Sequence, residues 1–218
     1  MKTLFIPCHH KADPVKVLDD NKGMLDGLDT ICLVSTAQHT GRIEAVGQYL
    51  KDIDKTVVIG GQILGCNRQS AMSKGDDADC FLFLGSGRFH PIALAAESGR
   101  PVFILNPLSA VLDRISAEEV GSMKRKKRAR LSRAAGAKSF GILVSLKDGQ
   151  CDLERAEEVR KKLESLGFKA YVLAGDELSP DKLMGFGVDC LVNTSCPRMV
   201  EDDYCVPIIN ACELSLIF

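Results

Sequence analysis

The chain has 218 residues, of which 45% are hydrophobic and 26% are charged, and its formal net charge is -1. This composition is typical of a globular protein, and the length suits two domains of about 100 residues each. The near-neutral charge excludes a general affinity for nucleic acid, and the apolar runs, all of strand length, exclude a transmembrane helix.

The first half of the chain alternates strand patterns with helix patterns. Strands are predicted at Thr3–Ile6, Asp29–Ser35, Val57–Ile59, Cys80–Leu84 and Val102–Leu105. Each is a short apolar run that ends at a turn signal. One helix follows the second strand, with Thr40 as its N-cap. Its apolar face is formed by Ile43, Val46, Gly47 and Leu50. A second helix is predicted from about Pro91 to Glu97.

The second half begins with one long helix, predicted over Ser116–Ala135 with Ser116 as its cap. Its middle, MKRKKRARLSR, is either a solvated helix face or a patch for an acidic or RNA-associated partner. An amphipathic helix starts at Asp152 and ends at Gly167, and a short one starts at Ser179. Strands are predicted at Phe140–Ser145, Lys169–Leu173, Cys190–Asn193 and, at a sheet edge, Val206–Asn210.

This alternation predicts an α/β fold of two similar Rossmann-like units, with mostly parallel sheets and flanking helices. Two repeats indicate a tandem duplication. DCFLFLGSGR from Asp79 and DCLVNTSCPR from Asp189 share one frame, 110 positions apart. The triplet Leu-Val-Ser recurs at the same offset, from Leu33 and from Leu143. The predicted domains are residues 1–112 and 113–218.

Nine cysteines are the unusual feature of the composition. The start, MKTLFIPCHH, turns polar after Pro7 and leaves no room for a signal peptide, so we expect a cytoplasmic protein without a disulfide framework. No CxxC pair occurs, which argues against a zinc ribbon or a thioredoxin-like site. The cysteines inside apolar strands are interpreted as small buried hydrophobes: Cys32, Cys80 and Cys190.

Three loops follow predicted strands, where open α/β sheets place their ligands. They contain Gly65-Cys66-Asn67, Gly85–His90 and Thr194–Arg198. If the two sheets face each other across a cleft, Cys66 and Cys196 can meet there. Two thiolates among glycines suit a soft metal centre, above all an iron–sulfur cluster.

The same three loops resemble motifs of the diphthamide synthases, the 2-(3-amino-3-carboxypropyl)histidine synthase family. GQILGC from Gly61 resembles the family's GQxLGC segment, and LGSGRFH from Leu84 resembles its LGDGRFH segment. NTSCPR from Asn193, with Asp202-Asp203 after it, is similar to the family's ACPR segment. The motifs agree in order and approximate spacing over nearly the whole chain.

This resemblance implies a radical enzyme that holds a 4Fe-4S cluster by three cysteines, one from each of three similar α/β domains. The reduced cluster would cleave S-adenosylmethionine and release a 3-amino-3-carboxypropyl radical. That radical would add to the imidazole of a histidine in elongation factor 2. The implied partners are therefore elongation factor 2 and an electron donor.

Only two of the three cluster cysteines can be assigned by this resemblance, Cys66 and Cys196. The chain begins where the family's second domain would, so its two units are expected to correspond to the second and third domains. Cys8 is the candidate for a third metal ligand, with His9 or His10 as alternatives in the same segment. A separate chain, or a second copy in a dimer, could supply that ligand instead.

The cofactor-binding residues are predicted in the same loops. Arg88 or Arg198 can hold the carboxylate of S-adenosylmethionine by a bidentate pair, but an Arg there can equally pair with an Asp or Glu of the protein. The predicted site is completed by Gln62, Gly85 and Gly87. Ser86 departs from the family's Asp and removes a carboxylate. No catalytic residue is assigned: His90 can cap or pack as well as bind, and His39 could line the same cleft.

Three functions remain open at this point. The first is a diphthamide-synthase-like enzyme with an iron–sulfur cluster and S-adenosylmethionine. The second is a non-catalytic or repurposed subunit that completes the cluster site of another chain. The third is an α/β protein that binds a small anion and uses its cysteines structurally.

Overall fold

The computed structural model describes residues 4, 6, 8–64 and 67–218. It contains two sheets flanked by helices, one entirely parallel and one with a single antiparallel strand, which confirms the predicted fold class. The chain divides into two compact units, Met1–Lys124 and Arg125–Phe218. This division falls inside a helix, C-terminal to the predicted boundary at residue 112. The correspondence of the two units to particular domains of the family stays a prediction.

The sheet of the first unit has the strand order β2-β1-β3-β4-β5. Its strands are β1 (Thr30–Ser35), β2 (Thr56–Gln62), β3 (Cys80–Leu84), β4 (Val102–Asn106) and β5 (Val111–Arg114). All neighbours pair in parallel except β5, which returns antiparallel to β4. The helices of this unit are α1 (Pro14–Asp20), α2 (Ile43–Asp52), α3 (Gln69–Lys74) and α4 (Phe89–Ser98).

Helix α5 (Ala117–Ala134) leads into the second unit. The strands of that unit are β6 (Ser139–Ser145), β7 (Lys169–Gly175), β8 (Cys190–Asn193) and β9 (Ile208–Asn210), in the order β7-β6-β8-β9. All three pairs are parallel. The remaining helices are α6 (Leu153–Ser165) and α7 (Pro180–Leu183). Short 3-10 turns cover Lys22–Leu25, Ala37–Arg42, Pro197–Glu201 and Ala211–Leu216.

The two units repeat one architecture. In each, the first strand is central, the second lies on one side of it, and the third and fourth lie on the other. Asp79 and Asp189, which precede β3 and β8, make the same contact: each carboxylate accepts hydrogen bonds from the two backbone N–H groups at the start of the neighbouring strand. The repeated Asp-Cys therefore marks equivalent positions.

The Leu-Val-Ser repeat does not mark equivalent positions. Leu33 pairs with Leu82 and packs in the same cluster as Cys80. In the second unit the residue on the Cys190 face is Ile142, whereas Leu143 packs on the opposite face with Leu191. Because side chains alternate along a strand, an offset of one residue changes the face. The duplication thus rests on strand order and on the Asp-Cys frame.

Most predicted elements are confirmed, and the exceptions are short. Helices α1 and α3 and the antiparallel strand β5 were not predicted. Thr40 is not the N-cap of α2, because it lies inside the preceding 3-10 turn and donates to the Ala37 carbonyl. The strand predicted at Thr3–Ile6 falls partly on residues outside the described part of the chain, and Leu4 and Ile6 belong to no regular element.

Gly60 and Gly61, near the end of β2, adopt a backbone geometry in which any other residue would be strained. The register of β1 with β2 skips Gly60, so this residue forms a bulge. A Cβ at Gly60 would lie 2.6 Å from Val34 Cγ1 and 2.8 Å from Cys32 Sγ. Gly61 has a φ of 87°, in the left-handed region. The two glycines therefore set the backbone path at the end of β2, up to Gln62.

We expect Gly60→Ala to lower the free energy of unfolding by about 1–3 kcal/mol, because the added methyl overlaps two buried side chains. Gly185→Ala is the matched control, since a Cβ there would meet nothing within 4 Å. Urea unfolding of both variants checks the prediction. Equal stabilities of the two variants would contradict the packing argument.

Candidate functional site

Two of the three predicted loops lie at the carboxyl ends of strands that are interior to their sheets. Thr194, Ser195 and Cys196 directly follow β8, and the segment Gly85–Arg88 directly follows β3. The loop after β2 includes Gly65 and Cys66, which lie outside the described residues. Within each unit, these positions are where a parallel α/β sheet presents side chains to a ligand.

The loop that carries Cys196 is fixed by hydrogen bonds from its neighbours. The Asn193 amide donates to the Cys196 carbonyl at 2.8 Å and accepts from the Ser195 N–H at 3.0 Å. The Ser195 hydroxyl accepts from the Ser145 N–H at 2.8 Å, and the Thr194 hydroxyl donates to the Leu143 carbonyl at 2.8 Å. The loop is therefore tied to both β6 and β8.

Cys196 is a free, half-buried thiol at the start of the 3-10 turn Pro197–Glu201. Arg198 lies within that turn, is exposed, and forms no ion pair with any residue that the structure describes. An unpaired guanidinium two residues from a thiol is suited to hold a carboxylate. Of the two predicted arginines, Arg198 is the one that is free to do so.

Arg88 is engaged by carboxylates of its own unit. Its guanidinium contacts Glu119 at 2.6 Å and Asp113 at 2.5 Å. The Arg88 hydrogen bond, aided by Ser116, lowers the pKa of Glu119 to about 2. Glu119 also completes a capping box with Ser116 at the start of α5. A ligand carboxylate would have to displace these partners, so the cofactor role predicted for Arg88 stays a prediction.

Positions 85 and 87 of this loop are glycine for two different structural reasons. Gly85 is buried, and a Cβ there would lie 2.9 Å from the Phe83 ring and 3.2 Å from Thr36 Oγ1. Gly87 has a φ of 78°. Gln62 is exposed at the end of β2, in register with Ser35 of β1. The strand ends therefore approach closely here, and whether these residues bind a cofactor stays a prediction.

Two histidines of the first unit, His39 and His90, are withdrawn from solvent, one fully and one in part. His39 is 3% exposed, its ring centre lies 5.9 Å from that of His10, and its Nδ1 has no partner among the described residues. Burial, and then the nearby His10, lower the pKa of His39. His90 packs against Phe83 and Phe89, and burial lowers its pKa as well. Burial therefore favours the neutral form of both imidazoles.

The third-ligand prediction concerns an exposed segment. Cys8, His9 and His10 are all exposed. Among the residues described, no three His, Cys, Asp or Glu side chains are grouped in a way that could hold a metal. Cys66 lies outside that set, so the assignment of Cys8 stays a prediction.

Three other cysteines are structural. Cys32, Cys80 and Cys190 are fully buried in the sheets, as expected. Burial raises the pKa of Cys32 to about 11 and those of Cys80 and Cys190 to about 12. Thiols that stay protonated at neutral pH are poor nucleophiles and poor metal ligands.

The basic run of α5 is divided between two environments. Lys127 and Arg130 bind the buried carboxylate of Glu213, at 3.0 and 3.2 Å. The other cations of the run are exposed: Lys124, Arg125, Lys126, Arg128 and Arg133. Burial alone would raise the pKa of Glu213, but the Asn210 N–H and these two cations together lower it. The solvated-face interpretation thus describes most of the run but not all of it.

The partner residues of the site were not predicted from sequence. A buried Asn at the end of an apolar strand, as in DCLVN, is a signal that would have indicated Asn193. Asn210 and Glu213 have the spacing of a capping box, which the structure forms at the turn Ala211–Leu216. Glu119 is likewise three residues after its cap, Ser116.

The fold and the site define an α/β protein of two Rossmann-like units. In the second unit, the loop after β8 presents the free thiol of Cys196. The family model described as "Putative diphthamide synthesis protein" matches residues 1–218. The chain belongs to this family, which confirms the predicted resemblance.

Relatives of the chain are 2-(3-amino-3-carboxypropyl)histidine synthases. The protein of Pyrococcus horikoshii is 32% identical over 212 residues, covering 93% of this chain and 60% of the relative. That of Methanocaldococcus jannaschii is 34% identical over 213 residues, covering 94% and 57%. The chain thus spans about 60% of the length of these relatives.

Two solved structures of Dph2 from Pyrococcus horikoshii are similar to this chain. One has a TM-score of 0.86 and the other, determined with a 4Fe-4S cluster, has a TM-score of 0.84. Both are 29% identical in sequence, and each match covers 96% of this chain and 63% of the other. Among the residues described here, no helix is long and apolar enough to cross a membrane.

The Arg88–Glu119 pair predicts a pH-dependent contribution to stability. The pKa of Glu119 is lowered in the folded state, so its contribution is complete above its ordinary value of 4.5 and is lost as pH falls from there toward about 2. We expect Glu119→Gln to cost about 1 kcal/mol at pH 7, since the pair is partly exposed. Urea unfolding between pH 3 and 7 checks this: the difference from wild type should shrink at the acid end, and a constant difference would contradict it.

Proposed function

We propose that this chain forms part of a 2-(3-amino-3-carboxypropyl)histidine synthase that modifies a histidine of elongation factor 2. The observation that carries the proposal is the free thiol of Cys196, held at the carboxyl end of β8 within the motif NTSCPR. Membership of the family and the similarity to a Dph2 structure that contains a 4Fe-4S cluster support it.

Cys66 and Cys196 would hold a 4Fe-4S cluster as thiolates. The donor set fits, because thiolate sulfur is the usual ligand of such clusters and Cys196 is neither in a disulfide nor fully buried. Cys32, Cys80 and Cys190 are fully buried inside the strands and are therefore not accessible to a cluster at the loops. When bound and reduced, the cluster would supply the electron that cleaves S-adenosylmethionine and frees its 3-amino-3-carboxypropyl group.

Arg198 would bind the carboxylate of S-adenosylmethionine. It follows Cys196 by two residues and has no competing ion pair among the described residues. Gln62, Gly85 and Gly87 would contribute from the first unit, and Arg88 would exchange its Glu119 contact to do so. The role of these residues is to bind and orient the substrate and to keep water from the reacting carbon.

Two further components are part of the proposal. A third cluster ligand would come from Cys8 or from another chain, in a homo- or hetero-oligomer. An electron donor would reduce the cluster. The alternative function, a non-catalytic or repurposed subunit that completes another chain's cluster site, differs from the enzyme in what the isolated chain binds.

The test is anaerobic purification, counts of iron and sulfide, and an EPR spectrum after reduction by dithionite. We expect about four irons per chain, or per two chains if a dimer shares one cluster. Cys66→Ala and Cys196→Ala should each lose the iron and the signal. Cys8→Ala should lose them only if Cys8 is the third ligand.

Cys151→Ala is the matched control, because Cys151 is an exposed, free thiol in the second unit that belongs to none of the motifs. It should retain the iron of wild type. If the wild-type protein contained no iron, and Cys66→Ala and Cys196→Ala behaved like wild type, the cluster proposal would be wrong for the isolated chain. That outcome would favour the subunit alternative.

A further inference from the structure

The buried side chain of Asn193 uses all of its hydrogen-bonding groups. Its amide nitrogen donates to the Cys196 carbonyl at 2.8 Å and to Asn210 Oδ1 at 2.9 Å, and its oxygen accepts from the Ser195 N–H at 3.0 Å. The residue is 2% exposed. A buried amide costs several kcal/mol of desolvation unless it is fully bonded, so this geometry is strongly specified.

The fold itself does not require an amide at this position. In the duplicated frame, the equivalent of Asn193 is Phe83, which pairs with β1 as Asn193 pairs with β6. Phe83 is fully buried and apolar. The equivalent strand of the first unit, β3, therefore packs without a polar side chain at this position. The second unit, which has Asn193 there, is the one in which the loop after that strand carries a cysteine.

Asn193 is in turn held in place by residues of β9 and of the turn that follows β9. Asn210 lies opposite it in register on β9 and begins the turn Ala211–Leu216. The Asn210 N–H donates to Glu213 at 3.0 Å, and Glu213 is paired with Lys127 and Arg130. A continuous series of contacts thus runs from the Cys196 carbonyl to helix α5.

We propose that Asn193 is a positioning residue for Cys196, with Asn210 and Glu213 supporting it. The inference deepens the proposed function, since it concerns the loop of a proposed cluster ligand. Two of the three hydrogen bonds of Asn193 join it to residues 195 and 196, and the third joins it to Asn210. By fixing the backbone on both sides of the thiol's Cα, the amide holds the sulfur in one place before any metal binds.

The test compares Asn193→Leu with Asn210→Asp. Leu has nearly the shape of Asn and suits a strand position that is apolar in the other unit, so Asn193→Leu should fold while losing all three hydrogen bonds. Asp at 210 keeps the oxygen that accepts from Asn193 and is therefore the conservative control. Thermal unfolding of both variants establishes that they are folded.

The first readout is the alkylation rate of Cys196 in the metal-free protein, followed by mass spectrometry. A tryptic peptide that contains Cys196 also contains buried Cys190, which serves as an internal reference. We expect Asn193→Leu to speed alkylation of Cys196 by at least about fivefold, because one lost hydrogen bond changes the open population by about that factor and this variant loses three. Asn210→Asp should leave the rate unchanged.

The second readout is the EPR spectrum of reduced, iron-loaded protein, in which Asn193→Leu should shift or broaden the signal and Asn210→Asp should not. A wild-type alkylation rate in Asn193→Leu, or equal acceleration of Cys196 and Cys190, would overturn the positioning role. Because alkylation needs no iron, failure of the cluster proposal leaves this measurement intact.

Discussion

The end of the parallel ladder between β6 and β8 is the constraint on which the candidate site depends. Within the ladder each backbone group is paired with the next strand, but beyond Leu143 and Asn193 the pairing stops and the backbone needs other partners. The last backbone bond joins the Thr194 N–H to the Leu143 carbonyl, which also accepts from the Thr194 hydroxyl. Beyond it, the Ser195 hydroxyl accepts from the Ser145 N–H. The residues that satisfy the strand ends are therefore the same ones that hold Cys196.

Both units have this strand end, and they use it differently. In the first unit the apolar Phe83 lies where the second has Asn193, and the following arginine, Arg88, is bound by Glu119 and Asp113. The corresponding Arg198 forms no ion pair with any residue that the structure describes. In the first unit the cysteine of the family motif follows β2 instead, after the bulge at Gly60. Along the chain, the two motif cysteines thus follow strands that are not equivalent in the two units.

The sequence predicts the central strands and long helices because their apolar runs and periodicities are strong, and the Asp-Cys frame identifies equivalent positions correctly. It does not predict α1, α3 or β5, which are too short for a clear period. The Leu-Val-Ser repeat misleads because a strand has a period of two, so a match offset by one residue joins opposite faces. At the site, motif residues, Asn193 among them, can be found by resemblance, whereas the contacts of Asn193 and Glu119 join residues 3 to 31 positions apart and depend on the fold.

The basic run of α5 shows why charge in a sequence is hard to interpret alone. Its density suggests a binding surface, yet Lys127 and Arg130 have an internal use, since they neutralise a carboxylate that caps the last turn of the chain. A buried Glu213 without them would carry an uncompensated charge, which is far more costly than an exposed one. Those two cations therefore belong to the support of the β8–β9 edge, and through Asn210 to the support of the loop that carries Cys196.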